Sequence, residues 1–121
     1  TGVDSHFYRF PGGSSNQVSD TDMAQFIQFL NSNNVTYVDW NVSSGDATSE
    51  PLTRDDLVEN VMNDVVKYKT SVVLLHDASD KKTTVQALPK LIESLQREGA
   101  IILQISDDTK PIEHVTLVDN L

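Results

Sequence analysis

Apolar residues fall into short unbroken runs separated by stretches with helical spacing. The clearest run is Ser71-Val72-Val73-Leu74-Leu75-His76-Asp77. A β-branched run of that kind, followed by a polar loop, predicts a buried parallel strand whose C-terminal end is wet. Two earlier stretches end the same way: Phe7-Tyr8-Arg9-Phe10-Pro11 delivers an arginine, and Val35-Thr36-Tyr37-Val38-Asp39-Trp40 an aspartate. Residues 100–105 form a further apolar run. Between these lie three helical patterns. Met23, Phe26, Ile27 and Leu30 follow three-and-four spacing behind a cap at Ser19 or Asp20, and residues 31–34 end that helix. Thr53 opens the second, with Asp55 and Asp56 in its first turn and Leu57, Val61, Val65 and Tyr68 on its buried face. The third runs over about 83–97 and stops at Gly99; Pro89 inside it predicts a kink or a start nearer Leu88.

The sum is βαβαβαβ with connections of helix length, which demands a parallel α/β sheet with right-handed crossovers. Two connections look like more than connectors. Pro11-Gly12-Gly13-Ser14-Ser15-Asn16 consists of residues that tolerate unusual backbone angles, and residues 41–48 form a long polar loop. From Ser106 onward the chain is polar apart from Val115, Leu117 and Val118, and is expected to be peripheral.

Composition narrows the classes. With 121 residues, 38% of them hydrophobic, the chain holds enough material for one core. Acidic residues outnumber basic ones 18 to 9, a net charge of -9 that argues against a nucleic-acid partner. No cysteine is present, which excludes disulfides and thiolate zinc sites. No apolar stretch approaches the length of a transmembrane segment, and residue 1 onward lacks signal-peptide character.

Arg9-Phe10-Pro11-Gly12-Gly13-Ser14, then Asp39-Trp40-Asn41 with Asp46 beyond, then Leu74-Leu75-His76-Asp77 resemble, in order and spacing, the third, fourth and fifth motifs of the polysaccharide deacetylases, the NodB-homology domain of carbohydrate esterase family 4. The resemblance implies parallel β/α repeats forming the C-terminal part of a distorted (β/α) barrel. It also implies an enzyme that uses a divalent metal, zinc or similar, to hydrolyse N- or O-acetyl groups of peptidoglycan or chitin-like glycans. The family's first motif, with an Asp-Asp pair, and its second, of His-x-x-x-His type, are not in this sequence. His6, His76 and His114 are spaced too widely to replace them. Residues 1–121 are therefore expected to be a partial domain without the N-terminal metal-binding half. Alone, such a chain should bind no metal and be inactive.

The resemblance carries roles onto individual residues. His76 would be the general acid that protonates the leaving amine. Asp39 would orient it, and Arg9 would pair with the absent catalytic base. Leu74, on the same strand face as His76, would line the acetyl slot; Trp40, Pro11 and Gly12 would contact the glycan, Gly12 through its N–H. Each residue has an ordinary alternative: a surface charge for Arg9, a strand cap for Asp39, core packing for Trp40 and Leu74, turn chemistry for Gly12. The implied partners are an N-acetylated glycan and either the missing half or a second copy of the chain, since an open barrel leaves bare strand edges. The implied location is extracellular or the bacterial cell envelope.

Rival readings divide on particular residues. A receiver domain with Asp39 as phosphoacceptor needs an acidic pair near its first strand and a lysine ending a late one, where this chain has His76-Asp77. Gly12-Gly13 matches no phosphate-loop spacing. A non-catalytic carbohydrate-binding or assembly module made of half a barrel remains open as the alternative.

Overall fold

A computed structural model describes residues 1–117. In chain order the elements are β1 (Phe7–Tyr8), α1 (Met23–Ser32), β2 (Thr36–Tyr37), β3 (Val42–Ser43), α2 (Arg54–Val65), β4 (Val73–Leu74) and α3 (Lys82–Arg97). They group into two compact units: Thr1–Trp40 joined by the described residues from Thr109 onward, and Asn41–Asp108.

In the first unit β1 and β2 pair in parallel, with Phe7 opposite Thr36 and Tyr8 opposite Tyr37. Helix α1 makes the crossover between them. Its cap is Asp22, whose side chain accepts from the Ala24 N–H, and not Ser19 or Asp20; the Ser19 hydroxyl is engaged in a local turn with Thr21. Ile27 is buried with Phe10 and Tyr37, and Met23 and Leu30 pack on that cluster. Phe26, which the spacing placed on the same face, is 41% exposed, so the stripe is narrower than expected.

The terminal segment is not peripheral. Val115 and Leu117 pack on the same cluster. The Ile112 carbonyl accepts from the Asp39 N–H at 2.7 Å, and the Tyr37 hydroxyl donates to the Val115 carbonyl. Two apolar residues sufficed to anchor a polar segment because backbone groups of the core completed the attachment. Val118, the last apolar residue counted in that segment, lies outside the described residues.

In the second unit β3 and β4 pair in parallel, Val42 opposite Val73 and Ser43 opposite Leu74. Strand β3 sits inside the stretch expected to be loop throughout. Its hydrophobic signal is a single residue, Val42, which is 1% exposed. The Asn41 side chain starts the pairing, donating to the Thr70 carbonyl at 2.9 Å and accepting from the Val72 N–H at 2.7 Å.

Helix α2 begins as the sequence indicates, with a reciprocal capping box between Thr53 and Asp56. Leu57, Val58 and Val61 bury against Ala87 and Leu91 of α3, while Tyr68 is 46% exposed beyond the helix end. Helix α3 starts at Lys82 and runs through Pro89. Pro89 is on the exposed face, where the lost backbone bond is least costly. The helix ends with Gly99 at φ 83°, its N–H bonded to the Gln96 carbonyl and that of Ala100 to Leu95, a Schellman stop.

The strand expected over 100–105 is not formed among the described residues; Ile101 and Leu103 are 83% and 80% exposed. An apolar run becomes a strand only when another backbone accepts its ladder. Parallel pairing is thus observed, as two two-stranded pieces, and no barrel is closed among the described residues.

Candidate functional site

The best-defined polar centre in the second unit grows from the β3/β4 register. The Ser44 N–H reaches the Leu74 carbonyl at 3.4 Å, one step past the paired residues. The chain then turns at Gly45, whose φ of 81° favours glycine. A Cβ there would also meet Leu52 Cδ1 at 3.2 Å and Asn60 Nδ2 at 3.3 Å. The turn delivers Asp46 beside the segment leaving β4. Asp46 Oδ2 accepts the His76 backbone N–H at 2.7 Å, and Oδ1 lies 2.8 Å from the His76 ring Nδ1. Thr84, in the first turn of α3, donates its hydroxyl to Asp46 Oδ2 at 2.9 Å.

The carboxylate that holds His76 is therefore Asp46 rather than Asp39, the residue to which that function was assigned from sequence. With Nδ1 facing Asp46, Nε2 is the ring nitrogen that points away from the carboxylate. Among the described residues Nε2 has no partner, and the His76 side chain is 28% exposed. Burial alone would raise the Asp46 carboxyl; the hydrogen bonds from the His76 ring and backbone and from Thr84 outweigh it and hold Asp46 below the usual carboxylate range. A cleft of about 250 Å³ lies beside Asp46, its wall including Glu50, Leu52, Asp80, Lys81 and Thr84.

A second polar centre belongs to the first unit. The Gly13 N–H closes a turn onto the Phe10 carbonyl, and Gly13 has φ 85°, so the loop after β1 folds back on itself. A Cβ on Gly13 would approach His114 Nδ1 at 3.0 Å, Trp40 Cη2 at 3.2 Å and Asp39 Oδ1 at 3.3 Å. Ser14 then donates twice to the buried Asp39 carboxylate, from N–H at 2.9 Å and from the hydroxyl at 2.5 Å. The His114 N–H donates to the same carboxylate at 2.7 Å, and the Val115 N–H to the Ser14 hydroxyl at 2.9 Å. His114 packs edge-on against Trp40, ring centroids 5.0 Å apart, with its Nε2 2.8 Å from the Trp40 carbonyl.

The other sequence-derived candidates are placed as follows. Arg9 is exposed, and its guanidinium donates weakly to the Phe10 carbonyl at 3.4 Å. Pro11 and Gly12 are exposed at the loop tip, Gly12 with φ 77°. Trp40 is half-buried against His114. Leu74 is half-buried too; Val73 and Leu75 pack on the buried cluster, and Leu74 is not among the residues that do. Strand alternation puts Leu74 and His76 on the opposite face. The sequence gives Ser14, His114 and Thr84 no specific function, and marks Asp46 only as the acidic residue beyond Asp39-Trp40-Asn41. Nothing local marks Thr84 out; its signal is long-range.

Among the described residues no group of three or more His, Asp or Glu side chains is placed to hold a metal ion. The residues present do not fit the divalent metal that the motif resemblance implies. No helix among the described residues is long and apolar enough to cross a membrane.

No family model and no curated protein matches the chain. Solved structures do. The catalytic domain of peptidoglycan N-acetylglucosamine deacetylase from Eubacterium rectale matches with TM-score 0.88 and 37% identity, over 95% of this chain and 53% of that one. A Streptococcus mutans CE4 esterase matches with TM-score 0.64 and 26% identity, over 79% and 42%. The polysaccharide deacetylase Bc1974 from Bacillus cereus, at TM-score 0.64 and 19% identity over 89% and 52%, shares the fold. The chain spans about half the length of the structures it matches.

Proposed function

We propose that this chain, which falls among the polysaccharide deacetylases by its structural neighbours, supplies the proton-transfer side of a site that removes acetyl groups from N-acetylated glycans. The observation that carries the proposal is the doubly held His76, with Nδ1 and backbone N–H both on Asp46 and Nε2 without a partner among the described residues. In the reaction, the tetrahedral adduct of water and the acetyl carbonyl collapses, the carbon–nitrogen bond breaks, and the Nε2 proton passes to the departing sugar amine. Acetate and the free amine result; an acetyl ester would yield an alcohol by the same transfer. Asp46 holds the ring in one orientation throughout: the imidazolium gives up its Nε2 proton and remains as the Nδ1–H tautomer.

The remaining residues take supporting functions in this reading. Leu74, on the face of β4 shared with His76, offers an apolar wall for the acetyl methyl group. Asp39, by holding both Ser14 donors, fixes the loop whose tip carries Pro11 and Gly12, and Gly12 offers an N–H to the oxyanion. Trp40 gives a flat surface for a sugar ring. Arg9 pairs with a carboxylate supplied by the rest of the domain, which would also carry the groups that hold a divalent metal. The peptidoglycan in one neighbour's name supports a location at the bacterial envelope or outside the cell.

The test uses the longest form of the protein and acetylated chito-oligosaccharide or peptidoglycan. His76→Ala should lower kcat for acetate release by about 10²–10⁴-fold and leave metal content unchanged. Loss of metal in parallel with activity would make His76 a ligand and overturn the assignment. Failure of the longest form to release acetate from either glycan would overturn the reaction.

A further inference from the structure

We infer that Thr84 is a positioning residue for the His76–Asp46 pair, its hydroxyl locking the Asp46 carboxylate in the orientation that clamps the backbone N–H and ring Nδ1 of His76. The inference rests on the reading of His76 as the proton donor for its importance, but not for its test. A carboxylate turns about a soft torsion, and one hydrogen bond leaves it free to pivot. Asp46 receives three. Two come from His76 itself, at 2.7 and 2.8 Å, and move with it; the third comes from Thr84 at 2.9 Å, on a different element.

That third bond ties the pair to α3, a helix of 16 residues packed along α2. Thr84 is 4% exposed, so its hydroxyl would carry a desolvation penalty without a partner. Valine has nearly the same shape and would fill the space without that penalty, so packing alone does not explain threonine here. Nor does the hydroxyl cap the helix: the cap is Lys81, which makes no side-chain capping bond. The position in the first helical turn adds the favourable end of the α3 dipole to an ionised Asp46.

The surroundings explain why a neutral donor matters. Glu50, Asp80 and Lys81 line the cleft beside Asp46, and His76, two residues past β4, bonds the same carboxylate. Burial opposes the ionised form of Asp46, and the hydrogen bonds it accepts favour it. The Thr84 hydroxyl favours it at close range and does not change with pH.

The test is NMR on the chain itself, comparing Thr84→Val, which keeps the shape, with Thr84→Ser, which keeps the hydroxyl. In the unmodified chain the neutral His76 ring should be the Nδ1–H tautomer by its ¹⁵N shifts. Thr84→Val should mix the tautomers and raise the Asp46 carboxyl midpoint toward its ordinary value. Thr84→Ser should behave as the unmodified chain. Equal effects from both variants would assign Thr84 to packing and overturn the inference, as would no effect from Thr84→Val. Should Thr84→Val fail to fold, the unmodified chain still decides: a slowly exchanging Thr84 hydroxyl proton with a cross-peak to the His76 amide supports the bond, and exchange at the solvent rate overturns it. Activity of His76→Ala, measured separately, reports on the proton-donor reading alone.

Discussion

Asp39 and Asp46 are both buried carboxylates with a histidine near them, and they differ in what their oxygens hold. Asp39, in the first unit, accepts from the Ser14 N–H and hydroxyl and from the His114 backbone. The His114 ring Nδ1 stands 3.8 Å away, too far for a hydrogen bond, and its Nε2 faces the Trp40 carbonyl. Asp46, in the second unit, binds the His76 ring directly, and among the described residues Nε2 has no partner. An aspartate near a histidine is thus not one device. The first joins a loop, a strand end and a terminal segment; the second fixes the orientation of one imidazole ring.

The largest effect should come from removing the joint. Asp39→Ala leaves three donors without an acceptor in a buried place, and should cost about 3 kcal/mol or more in chemical denaturation, with faster amide exchange at 112–115. A loss below about 1 kcal/mol would show that Asp39 is not the structural member of the pair. Asp46→Asn is next. An amide oxygen and an NH2 group cannot accept at both positions, so the His76 tautomer should shift and kcat in an acetate-releasing form should drop by about 10²-fold, with a smaller stability loss of about 1–2 kcal/mol. Unchanged ¹⁵N shifts on the His76 ring would break the contrast.

Tyr37→Phe tests the terminal attachment at lower cost, about 1 kcal/mol for one lost bond to Val115. Burial first, then the nearby Glu113 and Asp39 charges, push the Tyr37 phenol from 10.0 up to about 12. The folded state then keeps a proton that the unfolded chain releases, so Tyr37 should make stability fall as pH rises from about 10 to 12; Tyr37→Phe should remove that fall. The smallest effect is on the acid side. Asp46 titrates below its ordinary 3.8 when folded, so its contribution is complete above that pH and is lost as pH drops through the folded value. Stability curves of the unmodified chain and Asp46→Asn should converge there, and parallel curves would deny Asp46 its stabilised ionisation.

Much of the local structure was legible in the sequence because its causes are local. Thr53 with Asp56 marks a helix start through a reciprocal cap, Gly99 marks a stop through its left-handed backbone, and Ile27, Leu57 and Val61 lie at helical spacing. The opposite faces of Val73 with Leu75 and Leu74 with His76 follow from alternation alone. Apolar content misled where a backbone partner decides: 100–105 reads as a strand and is not one, whereas Val42, one apolar residue in a polar stretch, is in one. The segment after Ser106 reads as peripheral because its bonds to Tyr37, Asp39 and Ser14 cross most of the chain length.

Residue order alone shows an apolar run that closes on His76 and acidic residues, Asp39 and Asp46, at and beyond the end of the run before it, in motifs that resemble those of the polysaccharide deacetylases. Which carboxylate meets the histidine was decided only by tertiary structure. The register of β3 on β4 and the left-handed turn at Gly45 set Asp46 on His76, and α3 brings Thr84 to the same oxygen. Strand register and helix packing are long-range choices, and no spacing along the chain encodes which of two nearby aspartates they will select.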